Sequence, residues 1–173
     1  AGTGQPQDET QGASSLGPEH VGVIVNDNDP LSSEIAAYYM ERRGIPPGNL
    51  IHVQLTAGRS VMSPERFRLV MDRVRAETPA NVQVYALAWS LPYRVGCMSI
   101  TSAFATGFDE AWCAQGCKAT RESSYYDSDS RRPFTDLGLR PAMMLAGDSL
   151  DEVRDLIERG IAADGSRPTG TGY

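Results

Sequence analysis

The sequence predicts an α/β fold: a three-layer α/β/α domain around a mostly parallel, flavodoxin-like sheet of about four or five strands. Three observations carry this. Residues 20–46, HVGVIVNDNDPLSSEIAAYYMERRGIP, read as a buried strand, an acidic turn and a capped helix, the first half of a βαβ unit. Further along, apolar runs of strand length alternate with segments of helical period, in the order β-α-β-α-β-α-loop-β-α. Helices between successive parallel strands make right-handed crossovers that cover both faces of the sheet.

Each element follows from local chemistry. Residues 1–18 are small and polar and read as a flexible tail, which leaves residues 19–173 as a single domain. Residues 21–25, VGVIV, suit a strand buried on both faces. Asp29 is the expected N-cap of the first helix, with Pro30 at its first position. Leu31, Ile35 and Tyr38 recur inside it at helical spacing, and Gly44 before Ile45-Pro46-Pro47 ends it. A second strand is expected over residues 49–55. Ser63-Pro64-Glu65 opens a second helix, in which Phe67, Val70, Met71 and Val74 give the strongest periodicity of the chain. Residues 82–89 form a third strand, and Leu91-Pro92-Tyr93-Arg94 leaves it as a loop. A helix is expected over residues 101–113, weakened by Gly107, and then a long polar loop over residues 114–141. Residues 142–145 are a fourth strand. Asp148 or Ser149 caps a last helix that turns Leu150, Val153, Ile157 and Ile161 inward and ends at Gly165.

Composition narrows the functional classes. A chain of 173 residues is long enough to bury a core as one domain. Its net charge of −6 argues against nucleic acid, whose binders present a basic face to the phosphates. No run of about 18 apolar residues is present, so no membrane span is expected. The chain opens on Ala1 with a small, polar stretch, which reads as the start of an exported protein after leader cleavage, in the periplasm or outside the cell. Three cysteines, Cys97, Cys113 and Cys117, fit that compartment. The expected bridge joins Cys97 to Cys113 or to Cys117, leaving one thiol over.

The candidate chemistry lies at the carboxyl ends of the strands, where open α/β sheets place their sites. Asn26, Asp27, Asn28 and Asp29 form an acidic turn after the first strand. Their oxygens suit a hard cation, but capping by Asp29 and turn geometry account for the same residues, and the Gly and Glu of an EF-hand are missing. Ser90, Tyr93 and Arg94 follow the third strand. With strands one and three adjacent, they form the opposite wall of a cleft. There Arg94 either pairs with Asp27, grips a ligand carboxylate, or is an inconsequential surface charge. The cysteines lack a fourth metal ligand and a nearby histidine base, so no metal site is expected. No phosphate loop, nucleophile elbow or dinucleotide fingerprint occurs, and no cofactor is expected. Tyr125 and Tyr126, in the loop Tyr125–Arg132 written YYDSDSRR, are candidate anchors for a partner.

Taken together, VIVNDNDPLS, YYMERRGIP, LPYRV and MSITSAFATGFDEAWC resemble an uncharacterised family of exported bacterial proteins from organisms with PEP-CTERM sorting. The resemblance spans residues 21–173. It implies export and a chain that continues past Tyr173, but no reaction. More distantly, the architecture is similar to gingipain-type and caspase-like peptidases. Their His–Cys dyad is not carried over, since His20 precedes the first strand and His52 lies inside the second. Three functions are therefore expected in turn: an exported binding or accessory module within a larger protein or complex; a peptidase-like hydrolase completed by residues outside this chain; and a structural subunit docking through its sheet edge. A protein partner or the chain's own continuation would cover that edge near Tyr173.

Overall fold

The computed structural model describes residues 16–114 and 116–166. Most of the expected tail, and the sheet edge expected near Tyr173, lie outside them. In chain order the elements are β1 (Val21–Asn26), α1 (Pro30–Arg43), β2 (Leu50–Val53), β3 (Val61–Met62), α2 (Pro64–Glu77), β4 (Val84–Leu87), β5 (Arg94–Val95), β6 (Met98–Ser99), α3 (Ile100–Thr106), α4 (Pro133–Leu137), β7 (Ala142–Met144) and α5 (Leu150–Ala162).

Strand alternation sorts the core into two layers. In β1, Val23 and Val25 face one way and Ile24 the other, and all three are buried. The first face meets Ile35, Ala36 and Tyr39 of α1 and Val153 and Ile157 of α5. The second meets Phe67, Val70, Met71 and Val74 of α2 and Ile100, Ala103 and Phe104 of α3. Helices thus cover both faces of a four-stranded sheet, β2-β1-β4-β7, in which every pairing is parallel. This is the flavodoxin-like order that the alternation of elements predicts.

Helix starts follow the sequence closely, whereas α5 stops at Ala162, short of the expected end at Gly165. The Asp29 carboxylate accepts the Leu31 N–H at 3.1 Å, and Pro30 opens α1. Gly44 ends it at φ +65°, a left-handed turn that glycine takes without a Cβ clash. Ser63 caps α2 and Ser149 caps α5. Within α1 the inward residues are Ile35, Ala36 and Tyr39, while Leu31 and Tyr38 sit at the rim of the core.

Three expectations are corrected. The helix expected over residues 101–113 stops at Thr106, because Gly107 turns away at φ +83°. Asp109 then caps a separate 3-10 turn, Glu110–Trp112, whose Trp112 packs on the core beside Phe108. Residues 114–141 are not loop throughout, since α4 is held there by the buried Gln83. Its side-chain oxygen accepts the backbone N–H groups of Phe134 and Thr135, both at 3.1 Å. Finally, Arg94 is not in a loop. It lies in β5, which pairs parallel with β3 and antiparallel with β6 in a small second sheet. Cys97, in the turn between β5 and β6, is bridged to Cys113 with 5.6 Å between their Cα atoms, and Cys117 is free and exposed.

α1 and α5 are also clamped at the surface. Arg42 donates two hydrogen bonds to Glu158, at 2.6 and 2.7 Å, and the Tyr38 hydroxyl donates a third at 2.7 Å. These hydrogen bonds hold the Glu158 carboxyl down to about 2, from an ordinary value of 4.5. A carboxyl whose folded value is depressed stabilises the fold above the unfolded value and loses that contribution as pH falls through the folded one. The advantage of the native protein over Glu158→Gln in thermal melts should therefore be complete above pH 4.5 and fade between pH 4.5 and about 2. A difference independent of pH across that window would contradict the clamp.

Candidate functional site

The acidic turn is built around a buried amide. Asn26 ends β1 with no exposed surface. Its backbone N–H donates to Ser32 Oγ in α1 at 2.8 Å, and its side-chain oxygen accepts the N–H groups of Asn28 at 3.2 Å and Leu55 at 2.9 Å. Those two bonds fix the amide orientation and leave Nδ2 buried without a partner among the described residues. Asn28 donates to the Leu55 carbonyl at 3.1 Å. The turn is thereby fastened to the segment that follows β2. Asp29 is spent on capping α1, as the sequence predicts.

Asp27 meets a residue that sequence reasoning set aside. The β1–β2 register places Val25 opposite His52, so Asp27 and His52 share one sheet face. His52 Nδ1 lies 2.7 Å from Asp27 Oδ1. A carboxylate only accepts, so Nδ1 carries the proton, and in the neutral ring Nε2 is the acceptor. No hydroxyl or thiol among the described residues hydrogen-bonds that Nε2. The pair has the form of an oriented base without its nucleophile.

The second expected cluster is dispersed. The Ser90 hydroxyl donates to the Gly147 carbonyl at 2.8 Å and accepts the Gly147 N–H at 3.0 Å, tying the end of β4 to the end of β7. Tyr93 is exposed. Arg94 folds back on the Gly96 carbonyl, at 3.0 and 3.3 Å. The expected Arg94–Asp27 pair is not formed: His52 holds Asp27, and the strand beside β5 is β3 rather than β1.

What bridges the two clusters is residues 54–63, whose middle, residues 56–62, has no role in the sequence reading. Leu55 bonds to the acidic turn, and the Ser60 carbonyl accepts the N–H groups of Tyr93 and Arg94. An open cleft of about 320 Å³ lies along this segment. Leu55 and Pro92 supply apolar wall, Thr56 and Ser63 hydroxyls, and Arg59 and Arg66 guanidinium groups. One amino group of Arg66 donates to the Gln54 carbonyl at 3.1 Å, which steadies that side chain. Neither arginine has a carboxylate within salt-bridge distance among the described residues. Glu65, on the same first turn, is held below the usual carboxylate range by its own backbone N–H and the Ser63 hydroxyl. The cleft can accept a small ligand with an anionic group, at a volume in the range of small-molecule sites.

Among the described residues no three His, Cys, Asp or Glu side chains gather closely enough to hold a metal ion, and no helix is long and apolar enough to cross a membrane.

Fold and site together define a flavodoxin-like α/β domain with a polar, arginine-bearing cleft at the carboxyl edge of its sheet. No family model, curated protein or solved structure matches the chain.

Proposed function

We propose that the protein is an exported α/β binding module that takes a small anionic ligand in the cleft beside β2 and β3 and works as a component of a larger protein or complex. The observation that carries the reading is the pair Arg59 and Arg66. Two guanidinium groups without carboxylate partners among the described residues line one concave surface, flanked by hydroxyls. Nearby candidate nucleophiles are otherwise engaged, Ser90 by Gly147 and Cys97 and Cys113 by each other. The Cys97–Cys113 bridge supports an oxidising compartment, periplasmic or extracellular, in keeping with the resemblance to exported bacterial proteins. An accessory role is supported by Tyr126, which is 74% exposed, and by Met143, which is 52% exposed on the edge strand β7.

Calorimetric titration with inorganic phosphate at constant ionic strength tests the cleft. Saturable binding is expected, weakened about tenfold by Arg59→Gln through loss of one charge-assisted contact. Absence of binding, or equal binding by the variant, would overturn it.

A second reading, a hydrolase, is favoured by the Asp27–His52 pair alone. In it, a partner chain or further sequence supplies the nucleophile to Nε2. Under that reading His52→Ala abolishes hydrolysis by the full assembly, whereas a binding module keeps its phosphate affinity in the same variant.

A further inference from the structure

The far end of the sheet carries a second cleft, which the reading above does not use. It lies at the amino end of β4, an open cleft bordered by the last turns of α2, by α3 and by α4, with a volume of about 340 Å³. Its walls are aromatic, from Tyr85, Phe104 and Phe134, and its charge comes from Arg75 and Arg140.

Arg140 is the unusual member. It is only 8% exposed, and a buried guanidinium is costly unless its charge is answered. Its Nε donates to the Val82 carbonyl at 2.9 Å, and its plane sits over the Phe134 ring and 5.5 Å from the Tyr85 ring. Those contacts orient the group without neutralising it. No carboxylate comes within salt-bridge distance of Arg140 or Arg75 among the described residues. Burial lowers the Arg140 guanidinium from its ordinary value, the Tyr85 hydroxyl opposes that in part, and the like charge of Arg75 adds a smaller push downward. Two cations that repel each other thus face one aromatic cleft, in a protein whose net charge is −6.

We propose that this cleft is a second ligand site, for a small carboxylate carrying a flat aromatic or apolar body. The carboxylate would answer Arg75 and Arg140 together, and the body would lie against the exposed part of Phe134. Gln83 makes the site a built one, since it pins the start of α4 and so holds Phe134 in place under Arg140.

The test uses 2-naphthoate and its neutral counterpart 2-naphthamide, titrated calorimetrically into the whole chain. Arg75 is exposed on α2, so Arg75→Gln should leave the fold intact. Saturable naphthoate binding is expected, about tenfold weaker for the amide and about tenfold weaker in Arg75→Gln. Arg59→Gln, which weakens the other cleft, should leave it unchanged, so that either site can fail independently of the other. Equal affinity for acid and amide, no saturable binding, or full naphthoate affinity in Arg75→Gln would each overturn the proposal.

Discussion

Phe104→Ala should cost about 3–5 kcal/mol of folding stability, the range for deleting a fully buried aromatic ring. Phe104 has no exposed surface and lies among three other aromatic side chains. Its ring centroid is 5.3 Å from Phe67, 6.4 Å from Tyr85 and 6.0 Å from Trp89, each in an edge arrangement. Phe67 belongs to α2, and Tyr85 and Trp89 to β4 and its extension, so one ring joins both helices of this layer to the sheet. Neighbouring elements are anchored elsewhere and will not collapse fully into the void, which keeps the cost at the upper end of the large-to-small scale. For a chain of this size a loss of 1 kcal/mol lowers the melting temperature by roughly 2–4 °C. Thermal melts of the variant check the result, and a drop of only a degree or two would show that the layer repacks.

Removing the Cys97–Cys113 bridge should cost about 3 kcal/mol in the chain-entropy account of a loop this long. The bridged residues are 16 positions apart. The bridge fastens the segment after α3 to the β5–β6 turn, and so to the small sheet that borders the carboxyl-end cleft. The double variant Cys97→Ala/Cys113→Ala isolates the effect without leaving a lone thiol. Its melting temperature should fall, and added reductant should lower the native protein to the same value while leaving the variant unmoved. Thiol titration supplies the independent check, with one reactive group, Cys117, in the native protein and three after reduction and unfolding. Three thiols in the native protein would remove the bridge from the account, together with its support for export.

The sheet is legible in the sequence because its signals are local. VGVIV is apolar on both faces, Asp29-Pro30 and Ser63-Pro64 mark helix starts, and Gly44 marks an end. Two-residue strands such as β3, β5 and β6 carry no period, so the small second sheet is invisible until long-range pairing is seen. The Asp27–His52 pair depends on the β1–β2 register, which no single segment encodes. Both residues sit near strand ends on the same side of the sheet, His52 within β2 and Asp27 just past the last residue of β1. Arg66 had a signal too, for the Ser63 cap puts it in the first turn of a helix beside a strand end. Arg140 had none, because a polar loop gives no sign that Phe134 and Tyr85 will close over one of its arginines.

The central claim, that the carboxyl-end cleft is the binding site, is tested most directly by mapping backbone amide shifts in ¹H–¹⁵N spectra during the phosphate titration. The account predicts saturating shifts concentrated in residues 54–66 and at Tyr93, displaced to about tenfold higher phosphate in Arg59→Gln. Shifts absent from that segment, or spread evenly over the surface at the same phosphate concentrations, would contradict it.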